Sequence, residues 1–294
     1  MCGIESSRWI EWAPDRLELG EGGRWFDGQF YMVDLLAGRL LVVSGEGPGE
    51  LVELFRVDHP LGAVAPVAGR PGQWIAAVGK GIAIVAGDGG CQWLARPELN
   101  NPVPTRMNDG VADCFGRFWA GSMGTDGTPR AGSLYRVDVD GRVTRVVEAL
   151  SLANGPAFSS DGVTMYLADS DLGEIDRFEL EPVTGSIRRR EEFVRVDPEF
   201  GSPDGMTVDD DDHLWVAMWG AGEVHRYSAT GSLDRVIAIP ASQPTSVCFG
   251  GPMGRRLFVT TAYENLAAPQ QYDGGLYAID LDVSGPASPF AKLG

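Results

Sequence analysis

Four side chains able to offer oxygen to a cation recur at related positions of this sequence: Glu21, Asp109, Asn154 and Asp204. Each heads a similar stretch, in which a turn-rich segment leads into a few apolar residues, a second turn and a strand ending in an aromatic or aliphatic patch. The clearest copies are Asn154-Gly155-Pro156-Ala157-Phe158 ahead of Asp161-Gly162-Val163-Thr164-Met165-Tyr166, and Asp204-Gly205-Met206-Thr207-Val208 ahead of His213-Leu214-Trp215-Val216-Ala217. Looser copies begin near Glu21, Ala63, Asp109 and Thr245. Equivalent points recur about every 40–50 residues, the spacing of a propeller or another repeat array. Residues in one phase of a closed radial repeat converge, so these donors would meet near the axis. Carboxylates and an amide carbonyl suit a hard ion such as calcium or magnesium; manganese fits the same oxygens, and zinc could bind through the carboxylates. Asn-Gly and Asp-Gly are also strong turn signals. Any one of these sites alone therefore reads as a turn, and it is the shared phase that points to a metal.

The elements that must position them are strands. Phe30-Tyr31-Met32-Val33, Leu40-Leu41-Val42-Val43, Trp74-Ile75-Ala76-Ala77-Val78, Ile82-Ala83-Ile84-Val85 and Leu134-Tyr135-Arg136-Val137 are short and rich in β-formers, with Gly, Asp and Pro at their borders. No long stretch carries a helical period. Ala37-Gly38, Asp140-Gly141, Thr184-Gly185 and Thr230-Gly231 read as hairpin turns. The unit that starts at Asp204 divides into strands over 206–208, 214–218, 223–227 and 233–239. Four-stranded antiparallel units repeated about an axis are propeller blades. The expectation is thus an all-β, six-bladed β-propeller, a single domain over residues 1–294. Its ring would be closed by Trp9-Ile10-Glu11-Trp12 as the outer strand of the last blade, since an unpaired blade edge invites aggregation. The prolines of 97–105 mark a loop, and Asp209-Asp210-Asp211-Asp212 reads as a solvated turn, lacking the glycine and distal Glu of an EF-hand loop.

Composition narrows the partners. With 24 basic against 41 acidic residues the formal charge is −17, which argues against nucleic acid or an anionic membrane surface as partner. No apolar run is long enough to cross a bilayer, and residues 1–20 carry four acids and no signal-peptide core. Cys2, Cys91, Cys114 and Cys248 form no C-x-x-C pair. Cys91 and Cys114 read as free thiols in or near buried strands, and the set fits a reducing, cytoplasmic setting. The three histidines, His59, His213 and His225, lack a G-x-S-x-G elbow to serve. They read as a loop residue near the channel mouth and two packing residues of the fifth unit. Gly45-Glu46-Gly47-Pro48-Gly49 is a glycine-rich turn without the βαβ context of a dinucleotide site.

At the same residues the chain resembles the SMP-30/gluconolactonase/regucalcin-like family. The resemblance is carried by Leu19-Gly20-Glu21-Gly22-Gly23-Arg24-Trp25, Arg106-Met107-Asn108-Asp109-Gly110, Asn154-Gly155-Pro156 and Pro203-Asp204-Gly205-Met206. Ala120-Gly121-Ser122-Met123, Gly132-Ser133-Leu134-Tyr135-Arg136 and Cys248-Phe249-Gly250-Gly251 add to it. It implies a six-bladed propeller with one divalent cation in the channel, calcium foremost and zinc, manganese or magnesium as alternatives, acting on a sugar lactone. By that resemblance Glu21, Asn154 and Asp204 are the ligands and Asp204 is also the general base and acid. Arg106, Asn108 and Asp126 contact the substrate, and Asp109 becomes a supporting residue. Two departures stand out: Gly23 replaces a frequent proline, which predicts a looser start to the first strand, and the short Gly124-Thr125-Asp126-Gly127 loop is expected to shape the pocket. Fold alone does not fix function. Another ester or phosphotriester hydrolase, a strictosidine-synthase-like condensation, and a non-enzymatic cation- or protein-binding propeller remain the competing readings.

Overall fold

A computed structural model describes residues 4–5, 9–43 and 47–294. Cys2 and the Gly45-Glu46 part of the glycine-rich turn lie outside the described residues. Six antiparallel sheets follow one another along the chain. Their innermost strands are Gly20–Phe26, Leu61–Pro66, Thr105–Ala112, Ala153–Phe158, Ser202–Val208 and Pro244–Gly250. Each innermost strand packs against the next, and the sixth returns to the first, so the sheets are the blades of a closed propeller. Ile10–Ala13 pairs with Leu276–Asp280 and supplies the outer strand of blade six, closing the ring as the aromatic segment at Trp9 predicts.

Both faces of every blade are buried, and period-2 alternation sends neighbouring side chains to opposite blades. In blade two, Ala63 and Ala65 join a cluster shared with blade three, whereas Val64 joins one shared with blade one. The same division gives six apolar clusters, one at each interface between blades. Trp12, Trp119 and Trp215 fill three of these interfaces and are almost wholly buried.

All six innermost strands break register near their first residues, between Glu21 and Arg24, Leu61 and Ala63, Met107 and Gly110, Asn154 and Ala157, Pro203 and Met206, and Pro244 and Ser246. A bulge inserts a residue and re-aims the side chains beside it. The oxygen donors therefore sit within these irregular strand starts, not ahead of the strands as their turn-like sequences suggest.

Several local expectations are corrected. Blade five carries a fifth strand, because Ile4–Glu5 pairs in parallel with Val236 and Ile237. Cys114 is exposed, in the turn that follows the innermost strand of blade three. His213 stands just ahead of its strand, half-buried, whereas His225 is buried between Glu223 and Tyr227. Asp209 is not solvated. It is 1% exposed and accepts from the Trp215 indole and the Arg226 guanidinium, each at 2.8 Å. The acid run thus begins with a structural carboxylate, and Asp113 plays the same part for Trp119 and Arg117 in blade three. Nor is the start of blade one loosened by Gly23. Its amide donates to Ser246 Oγ at 3.0 Å, a bond a proline could not make, and it ties blade one to blade six.

Candidate active site

The donors of the irregular strand starts line one cavity of about 340 Å³ at the end of the channel where the innermost strands begin. Glu21 comes from blade one, Arg106 and Asn108 from blade three, Asn154 from blade four and Asp204 from blade five. Glu21, Asn108, Asn154 and Asp204 are all about 5% exposed, so their polar atoms answer mainly to one another. Blade two offers no donor in this phase. Its backbone presses against blade three, and a Cβ at Gly62 would stand 1.7 Å from the Asn108 carbonyl oxygen. In blade six the equivalent Thr245 hydroxyl is held by Gly20 O, at 2.5 Å.

A chain of hydrogen bonds fixes the amides. Arg106 Nη1 donates to Asn108 Oδ1 at 2.6 Å, and Asn108 Nδ2 donates to Asn154 Oδ1 at 2.7 Å and to Ala153 O at 2.9 Å. Asn154 Nδ2 donates to Ser170 Oγ at 2.8 Å, and that hydroxyl donates to Pro203 O at 2.5 Å, beside Asp204. The network locks Asn154 in orientation and leaves its Oδ1 a second lone pair. Asp109 is otherwise engaged. It accepts from the Gly110 and Gly155 amides at 2.7 and 3.0 Å and faces Arg24 at 3.5 Å, so it supports the backbone beside Asn154 and is not a free donor.

The carboxylates are in tension. Burial, then repulsion from Asp109, pushes the Glu21 carboxyl up to about 8. Burial, then repulsion from Glu21 and Asp109, raises Asp204 well above the usual carboxylate range. Asp204 Oδ1 is buried without a hydrogen-bond partner. An orphaned carboxylate oxygen beside a second repelled carboxylate, with a fixed amide oxygen nearby, fits a hard divalent cation. Among the described residues no three His, Cys, Asp or Glu side chains are grouped with ligand spacing. The set that fits is two carboxylates and an amide.

Asp126 is not brought to the cavity. It is exposed in the loop after the second strand of blade three, where it accepts from the Thr128 amide at 3.0 Å. Nor does the Gly124–Gly127 loop line the cavity; Met123, just before it, does so with Leu152. His59 lies on an exposed loop against Trp93, away from these walls. Sequence reading missed Ser170, Asp171, Trp219, Glu264 and Asn265, all of which line the cavity. A signal existed. These residues end or follow the second strands of blades four, five and six, which run back to the same mouth, so the repeat that aligns Asn154 with Asp204 also aligns them. A second cavity, of about 400 Å³, lies at the far ends of the innermost strands. Its walls are mostly apolar, with Pro156, Phe158, Met206 and Phe290, and carry no carboxylate or amide side chain.

A sequence model of the SMP-30/Gluconolactonase/LRE-like region matches residues 19–263. The chain belongs to that family. This SMP-30/gluconolactonase/LRE-like protein is 34% identical to a pentonolactonase of Haloferax volcanii over 256 residues, 83% of this chain and 81% of the relative. It is 30% identical to regucalcin of Gallus gallus over 300 residues, 94% and 96% of the two chains. A solved structure described as a calcium-binding protein, regucalcin, from Agrobacterium tumefaciens superposes with a TM-score of 0.88 at 27% identity, covering 98% of both chains. The six-bladed fold and the gluconolactonase-type family are therefore those the sequence motifs imply.

Proposed function

We propose that this protein hydrolyses a sugar lactone with the help of one divalent cation held by Glu21, Asn154 and Asp204. The observation that carries the reading is the buried, partnerless Asp204 Oδ1, which shares a cavity with Glu21 and the oriented Asn154 amide. Calcium is the ion of choice: the donors are all oxygen, and a relative of the same shape is described as calcium-binding. Zinc, manganese and magnesium are the alternatives. The lactonase relative supports the substrate class. The spaced cysteines support a reducing, cytoplasmic setting.

A divalent cation bound there supplies Lewis-acid polarisation of the lactone carbonyl and stabilises negative charge on its oxygen. Asp204 removes a proton from the water that attacks the carbonyl carbon. It then returns that proton to the ring oxygen as the carbon–oxygen bond breaks, leaving the open hydroxy acid. Arg106 and Asn108, already fixed to each other, hydrogen-bond the lactone oxygens and hold the ring for attack. Asp126 would reach a substrate only from outside the cavity wall, so its role is confined to a long ligand.

The test is a pH-stat assay on chelated protein. Aldonolactones, a simple aryl ester and a phosphotriester are offered in turn, with calcium, magnesium, manganese or zinc restored singly. Acid release from an aldonolactone that vanishes on chelation and returns with one of these ions is the expected result. Turnover unaffected by chelation, or turnover of the ester or phosphotriester alone, would remove the reading.

A further inference from the structure

The cavity walls carry four carboxylate residues, Glu21, Asp171, Asp204 and Glu264, against a single cationic side chain, Arg106. Even with a divalent ion added, no positive charge is left over for a substrate anion. Asp171 and Glu264 are the two acids here that neither the ligand set nor the proton transfer uses, and of the two it is Glu264 that acts on Arg106. Glu264 stands in the long connection of blade six, between Arg256–Thr261 and Leu276–Asp280. The local backbone is pinned: the Tyr263 and Glu264 amides both donate to Glu18 O, at 3.1 and 3.0 Å, and the Leu266 amide donates to Tyr263 O at 3.2 Å. Asn265 adopts a left-handed φ of 59°, a conformation that few residues other than Gly and Asn take readily. Glu264 is half-buried and lines the cavity on this pinned backbone. Burial opposes the Arg106 charge, and the nearby carboxylates of Glu264, Glu21 and Asp204 favour it.

We propose that Glu264 sets the charge of the substrate: by neutralising Arg106, the cavity's one cation, it confines the site to uncharged, hydroxyl-rich lactones and rejects anionic ones. An anionic lactone would meet one cationic side chain among a surplus of carboxylates, so rejection rests on repulsion as well as on the lack of a free partner. A neutral lactone loses nothing, since its hydroxyls can donate to the Glu264 carboxylate and accept from Arg106. This inference rests on the lactonase reading of the same cavity.

Glu264→Gln removes the charge and keeps the shape. Steady-state kinetics on glucono-lactone and on a glucaro-lactone bearing one free carboxylate should show wild type preferring the neutral substrate. In Glu264→Gln that preference should fall about tenfold or more, mainly through a lower KM for the anion. Glu264→Ala, which discards the side chain's packing too, should move the ratio the same way. Calorimetric binding of glucitol and gluconate, a neutral and an anionic polyol, gives the comparison without turnover: gluconate should gain on glucitol in Glu264→Gln. If the wild type opens no lactone, the lactonase reading fails, and the polyol comparison still decides on Glu264. An unchanged ratio in both measurements, or a wild-type preference for the anion, would overturn the proposal.

Discussion

Asp204→Asn should fold normally, bind no divalent cation at micromolar concentration, and open lactones about a thousandfold more slowly, or worse. Loss of a positioned general acid–base alone costs about 10²–10⁴ in rate, and here the same carboxylate also belongs to the proposed ligand set. The substitution keeps the side chain's size, so the blade-five bulge between Pro203 and Met206 need not shift. A melting curve separates this account from simple misfolding. In the wild type, burial and the neighbouring Glu21 and Asp109 all oppose the charged form of Asp204. Without cation, the variant should therefore melt no lower than wild type, and only the wild type should gain stability when calcium is added. Full activity in Asp204→Asn, or equal stabilisation of both proteins by calcium, would contradict the assigned role.

The second large effect lies in pH. Glu21 sits at about 8 in the fold, against an ordinary value of 4.5. An acid raised by folding holds its proton more tightly in the native state than in the unfolded chain. Its contribution is therefore full below about pH 4.5 and is lost as pH rises through about 8. Asp204 and Asp109 are raised too, so they act in the same direction. Chelated protein should lose stability steadily between these limits, by an amount on the order of several kcal/mol. A bound divalent ion favours the ionised carboxylates, so the loss should flatten or reverse when calcium is present. Cation binding near neutral pH should also release protons, measurable with an indicator dye in weak buffer. Urea melts across this range, with and without calcium, check the sign. A metal-free protein that grows more stable from pH 5 to 8 would show that these carboxyls are not held in mutual repulsion.

Much of the fold is legible because its signals repeat. One strand pattern is weak evidence, but six copies with matched turns fix the blade count, and a β-prone aromatic segment left over at Trp9 finds its place as the closing strand. Phase did the same for the site: Glu21, Asn154 and Asp204 do share one cavity. Phase could not separate Asp109 from the other donors, since its carboxylate is drawn off by the Gly155 amide and Arg24, partners remote in sequence. Asp209 departs from its sequence expectation for the same kind of reason. An acid beside three other acids looks solvated until the Trp215 indole and Arg226 are seen to close over it. Gly23 taught the opposite lesson, for a missing proline exposed an amide that Ser246 could use. Asp126 rests on resemblance alone and its loop on a departure from the family pattern, and in this chain neither lines the cavity that Met123, Asp171 and Glu264 help to form.

The central claim is that oxygens from blades one, four and five grip one ion, and diffraction can test it directly. Crystals of chelated protein soaked in manganese, with data collected for anomalous signal, should show one strong site per chain within about 2–2.6 Å of oxygens from Glu21, Asn154 and Asp204. An ion bound elsewhere, or a cavity that stays empty while lactone hydrolysis proceeds, would contradict it.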